Sequence, residues 1–109
     1  MDIRQLTDEM NRFVSAKGWY EEDSPRSQTA RNLAISLVLE ASEVLEYYQW
    51  GDAAKSTDEL SGELADVALY LLQLASVTGI DLEEAVLAKL DQNCKRNWDS
   101  KTTKQGKNL

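Results

Sequence analysis

The stretch Glu63-Leu64-Ala65-Asp66-Val67-Ala68-Leu69-Tyr70-Leu71-Leu72-Gln73-Leu74-Ala75 decides the fold. From Val67 onward it is apolar nearly all round, and a helix of that composition requires burial on every side. Upstream, Ser56 with Glu59 makes a capping-box pattern, so the helix runs from there to about Thr78, where Gly79 stops it. Its head carries two acids, Glu63 and Asp66, three residues apart and so on one face.

Three more helices are expected around it from the 3.6-residue periodicity. A first helix spans roughly Asp2 to Lys17, with Ile3, Leu6, Met10 and Phe13 on one stripe and Gly18 at its end. Ser24-Pro25 reads as an N-cap followed by a first-turn proline, which opens a second helix running to about Gln49. Its stripe is Ala30, Leu33, Leu37, Val38, Ala41, Val44, Leu45 and Tyr48, and Trp50-Gly51-Asp52 breaks it. Asp81 with Glu84 caps a fourth helix that carries Leu82, Val86, Leu90 and Cys94 and ends near Trp98. Strand signals are nearly absent: there is no sustained period-two alternation and no Asn-Gly hairpin. The expectation is an all-α, four-helix domain over residues 1–99 with a polar, disordered tail over 100–109. Four short helices can hardly bury the third one alone, so a homo-oligomer is expected, most simply a two-fold dimer.

Composition narrows the chemistry. The 109-residue chain is 42% hydrophobic and 28% charged, with a formal net charge of −7. An acidic surface repels nucleic-acid polymers and anionic membranes, whereas small polyphosphates stay available where divalent cations invert the local field. No stretch approaches the ~20 apolar residues of a membrane span, and the charges of the first helix argue against a signal peptide. The single Cys94 forms no intrachain disulfide, which fits a reducing cytoplasm. The absence of histidine excludes His-ligated zinc and Ser-His-Asp catalysis and leaves Cys94 without an activating base.

Two acidic pairs stand where a core is expected. Glu40 and Glu43 lie in Leu39-Glu40-Ala41-Ser42-Glu43-Val44-Leu45, and Glu63 and Asp66 lie in the stretch quoted above. If the second and third helices pack antiparallel, the four carboxylates converge. Converged carboxylates repel and are costly to desolvate, and a hard divalent cation with oxygen ligands offsets both. The competing reading is a solvated acidic face, as for Glu46, Asp58 and Glu59. On the fourth helix Lys89, Asn93 and Arg96 share one face, either as a phosphate grip or as an ordinary polar face. Trp19, Trp50 and Tyr70 suit base stacking or core packing.

Taken together, Arg31-Asn32-Leu33, Glu40-x-x-Glu43, Tyr48-Gln49-Trp50, Glu63-Leu64-Ala65-Asp66 with Tyr70, and Lys89-x-x-x-Asn93-x-x-Arg96 resemble the MazG-like all-α nucleoside triphosphate pyrophosphohydrolases, closest to the dCTP pyrophosphatase branch. The resemblance implies a MazG-like bundle completed by homo-oligomerisation, as a dimer or tetramer. It implies that Glu40, Glu43, Glu63 and Asp66 bind Mg²⁺, with Mn²⁺ as a substitute. It also implies that Trp19, Trp50 and Tyr70 help form a base pocket with Asn93 nearby, and that Arg31 belongs to the substrate-binding set. Lys89 and Arg96 would contact phosphates from the same or a neighbouring subunit. The implied reaction converts a (d)NTP and water to the monophosphate and pyrophosphate, with dCTP-like substrates, a role in pool sanitation and a member of the Glu40/Glu43 pair as base. Met10 stands near the place where some dCTP-directed relatives carry histidine. Ala30 stands where they carry proline, which with Pro25 suggests an extended start to the second helix. Competing readings are a dUTPase-like or phosphoribosyl-ATP-directed enzyme of the same architecture, and a non-catalytic helical oligomeric interaction module.

Overall fold

The computed structural model describes residues 1–96 and contains four helices with no strand among them: α1 (Ile3–Ala16), α2 (Ala30–Glu46), α3 (Thr57–Val77) and α4 (Leu82–Cys94). Trp98 and the tail lie outside the described residues.

Caps explain most of the boundaries. Asp2 closes a reciprocal capping box with Gln5, Ser56 accepts from the Glu59 N–H, and Asp81 accepts from the Glu84 N–H. Each cap satisfies an orphan donor of a first helical turn. α1 and α3 end alike. Gly18 and Gly79 adopt φ of 74° and 75°. The next residue in each case, Trp19 or Ile80, bonds back to Val14 or Ala75, and this is the Schellman arrangement. A β-carbon is disfavoured at such a φ. At Gly18 the reversal drives Trp19 against Val14, so the helix stop also places an aromatic side chain.

α2 departs from expectation. It begins at Ala30, five residues after Pro25, with Thr29 as N-cap accepting from the Asn32 N–H at 3.1 Å. Ser24 does accept a backbone N–H, from Arg26 at 3.0 Å, but as a local turn that no helix follows. Gln28 donates to the Arg26 carbonyl at 2.6 Å and Asn32 to the Ser27 carbonyl at 3.1 Å. These bonds satisfy the segment as an ordered loop, so the Ser-Pro signal is spent locally. At the other end α2 closes at Glu46, and α4 closes at Cys94 rather than near Trp98.

α3 packs most extensively on α2 and then on α1, while α4 leans on α1. The core is small: Met10 and Val14 of α1, Leu33 of α2, and Leu72 and Ala75 of α3. Trp19, Tyr20, Ile3 and Leu82 pack at its edge. Arg4 ties α1 to the start of α4, bonding Asp81 at 2.7 Å and reaching Glu83 at 3.5 Å. By length and composition α3 is apolar enough to cross a bilayer, contrary to the expectation that no stretch comes close. It instead forms the centre of the bundle, and Glu63 and Asp66 would be expensive in hydrocarbon. Much apolar surface stays uncovered within the chain: Val38 is 65% and Leu45 72% exposed on α2, and Leu64 is 51% exposed on α3.

The α2 start is checked by thermal denaturation of two cap variants. Thr29→Ala is expected to cost about 1 kcal/mol, the usual loss of an N-cap, and Ser24→Ala under half of that. The reverse order would restore the earlier start.

Candidate functional site

The antiparallel hairpin of α2 and α3 brings the end of one helix beside the beginning of the other. The connection between them is pinned: the Lys55 N–H bonds the Tyr47 carbonyl at 3.1 Å, and the Lys55 ammonium sits 5.1 Å from the Tyr47 ring centre. As a result Glu40 and Glu43 of α2 face Glu63 of α3. Each offers a carboxylate oxygen, and the three oxygens lie within 4.8 Å of one another. Glu40 and Glu63 are half-buried and Glu43 is exposed. Asp66 lies one turn along α3 from Glu63, outside this trio, and lines the adjoining cavity.

The charges repel. Glu43 is held above the ordinary carboxylate range first by the charge of Glu63, then by desolvation, with Glu46 and Asp66 adding to it. Glu63 is held up first by its hydrogen bond to Glu40 and then by desolvation, with the charges of Glu40 and Asp66 adding. The ion pairs at Arg4, Arg12 and Lys95 lie elsewhere. An all-oxygen, anionic donor set with unrelieved repulsion suits a hard divalent cation and no soft one.

Beside the carboxylates lies a cavity of about 720 Å³ between α1, the loop before α2, and the inner faces of α2 and α3. Trp19 and Tyr70 line it, as do Met10 and Phe13 of α1 and Leu33 of α2. Trp19 meets Phe13 edge to face at 5.7 Å, and the Arg26 guanidinium lies 5.0 Å from the Trp19 ring centre. Those contacts stand the indole up as a wall. Met10 is buried at the base of this wall.

The other residues singled out from sequence fall elsewhere within the chain. Trp50 is 88% exposed on the α2–α3 connection and does not line the cavity. Arg31 is exposed on the first turn of α2, while its neighbour Asn32 does line the cavity. Lys89 and Asn93 sit on α4, Arg96 lies just past its C-cap Lys95 and so off the helix expected to carry it, and none of the three borders the cavity. Lys89 donates to Gln92 at 3.4 Å.

Sequence reasoning missed the polar lining: Gln28, Asn32, Ser36 and Gln73. A signal for Gln73 was present. It interrupts the apolar run Val67–Ala75 seven residues after Asp66, on the face of Asp66 and Tyr70.

The profile of the MazG-like family matches residues 35–109. The chain is 38% identical over 104 residues to dCTP pyrophosphatase 1 of Bos taurus, covering 87% of this chain and 57% of that protein. Identity to dCTP pyrophosphatase 1 of Homo sapiens is 36% over 104 residues, covering 87% of this chain and 56% of that protein. The chain thus spans little more than half the length of these curated relatives. A crystal structure of a pyrophosphatase from Archaeoglobus fulgidus superposes with a TM-score of 0.65 at 33% identity, covering 84% of this chain and 87% of that one.

Protonation of Glu43 and Glu63 gives a signed expectation. A carboxylate whose folded-state pKa is raised weakens the fold once it is ionised, and that cost vanishes as pH falls through the raised value. A cation competes with the same protons. Millimolar Mg²⁺ is therefore expected to raise the melting temperature more at about pH 8 than at about pH 5. Glu43→Gln, which removes one repelling charge, should raise the melting temperature without metal and shrink the Mg²⁺ increment. An increment independent of pH and of Glu43 would count against the cluster as the binding site.

Proposed function

This chain belongs to the MazG-like family, and on that premise we propose that it is a Mg²⁺-dependent nucleotide pyrophosphohydrolase, cleaving a (d)NTP with water into the monophosphate and pyrophosphate. The observation that carries the reading is the meeting of Glu40, Glu43 and Glu63 within 4.8 Å, one helical turn from the Asp66 that lines an aromatic-walled cavity large enough for a nucleoside. Asp66 joins the two, since it borders the cavity and lies close enough to lift Glu43 and Glu63 electrostatically. dCTP-like substrates are the favoured class, because the relatives with this sequence are dCTP pyrophosphatases.

Glu40, Glu43 and Glu63, with Asp66 beside them, would hold the divalent cation; Mn²⁺ can substitute for Mg²⁺. When bound, the cation supplies charge neutralisation to the phosphoryl oxygens and orients the triphosphate. The chain's own groups do the rest. Trp19 and Tyr70 hold the base by stacking and keep water from that end of the substrate. Glu43 or Glu40 takes a proton from the attacking water as its oxygen bonds the α-phosphorus. The bond from that phosphorus to the bridging oxygen breaks, and pyrophosphate leaves with both electrons of that bond.

The exposed apolar stripes support assembly into a dimer or tetramer. Ile35, Val38 and Leu45 recur on one side of α2, and a monomeric soluble protein rarely leaves so much contiguous apolar surface open. Assembly would also give Trp50, Lys89 and Asn93 of α4, and Arg96 just past it a place at a neighbouring subunit's site. Val38→Glu is expected to shift the sedimentation coefficient toward that of a single chain.

The reaction is tested by released pyrophosphate from a panel of dCTP, dUTP, ATP and phosphoribosyl-ATP, with and without chelator. Metal-dependent release is expected, strongest for dCTP. Glu43→Gln should lower kcat by about a hundredfold or more if it is the base. Full turnover by that variant removes Glu43 from the chemistry. No release from any nucleotide would leave the interaction module as the better reading.

A further inference from the structure

We propose that Gln73 reads the nucleobase, its side-chain Oε1 accepting a hydrogen bond from the exocyclic amino group of a base held between Trp19 and Tyr70. The inference rests on the nucleotide reading above and names a specificity residue within it. Asp66, Tyr70 and Gln73 all border the cavity, at positions i, i+4 and i+7 of α3. That spacing puts them on one helix face, and the rise of a helix spreads them over about 10 Å. A nucleotide extends over a similar length from its α-phosphate to the pairing edge of its base. The order along the face is therefore a carboxylate beside the cation-binding trio, an aromatic ring, and an amide.

Gln73 is only 5% exposed, and a buried amide of this kind is oriented by its partners. The Arg26 backbone carbonyl can only accept, so Gln28 turns its amide nitrogen toward it, at 2.6 Å. Gln28 Oε1 is thereby turned toward Gln73, whose amide nitrogen donates to it. The Gln73 side chain also opposes the larger upward push of burial on the Tyr20 phenol. Tyr20 in turn donates to Asn11 Oδ1, and Asn11 donates to Ser76 Oγ at 2.9 Å. The fixed acceptor at one end sets the sense of the chain. With its amide nitrogen donating to Gln28, Gln73 is left with its carbonyl oxygen for the cavity that the residue borders. An acceptor there pairs with a 4-amino pyrimidine and repels the 4-keto group of uracil.

The same network also fastens the loop that carries Trp19 to α1 and α3, so loss of Gln73 has a structural consequence as well. Base selectivity separates the two roles. Gln73→Met keeps the length of the side chain and removes its polar atoms. It is expected to lower the ratio of kcat/KM for dCTP over dUTP by about tenfold, the worth of one hydrogen bond at a buried site, while kcat/KM for dUTP changes by less than about threefold. If both substrates fall together and the ratio holds, Gln73 only props the loop and the proposal is overturned. Should the Met variant lose its cooperative melting transition, Gln28→Met frees the Gln73 amide to turn over, and the ratio should drop likewise; an unchanged ratio there overturns the proposal as well. A wild-type enzyme that cleaves nucleotides but prefers dUTP overturns the role of Gln73 alone. A wild-type protein that cleaves none overturns the nucleotide reading and this inference with it.

Discussion

Three carboxylates forced together by two helices set the terms for the rest of this molecule. Glu40, Glu43 and Glu63 each bring a carboxylate oxygen within 4.8 Å of the others, and the neighbouring acids make Glu43 and Glu63 harder to ionise. Such an arrangement costs folding energy in the absence of a cation. The α2–α3 hairpin supplies the rigidity. Its connection is closed by the Lys55–Tyr47 bond, and its interface is the most extensive in the chain.

A second consequence concerns the shape of the cavity. Asp66, one turn from Glu63, borders it, and the Gly18 reversal precedes Trp19, which lines it together with Tyr70. One backbone feature, a left-handed glycine closing α1, therefore connects a helix terminus to the lining of the cavity. The ordered loop from Ser24 to Gln28 does similar work on the other side, bringing Arg26 over the Trp19 ring and Gln28 against Gln73.

Much of this was legible in the sequence because it is encoded locally. Asp2, Ser56 and Asp81 announce their helices by side-chain chemistry within four residues, and Gly18 and Gly79 announce their ends. The i, i+3 spacing of Glu40 with Glu43 is likewise local, and one assumption, antiparallel packing, brings that pair to Glu63. The start of α2 was misread because Ser24-Pro25 is also a local signal, and local signals do not reveal that Gln28 finds a partner 45 residues away. The cavity lining escaped for the same reason. Gln73 looked like one polar residue in an apolar helix until the loop packed against it. Trp50, Lys89 and Arg96 present the opposite difficulty: only the resemblance gave them a role, and within one chain they do not border this cavity.

The central claim is that the trio Glu40, Glu43 and Glu63 holds a divalent cation. The most direct measurement is anomalous X-ray scattering from a crystal soaked in Mn²⁺, which scatters where Mg²⁺ would sit. The account predicts a single strong anomalous site, or a close pair, with oxygens of those three side chains at about 2.1 Å and Asp66 at its edge. Density elsewhere, with the three side chains turned apart into solvent, would contradict it.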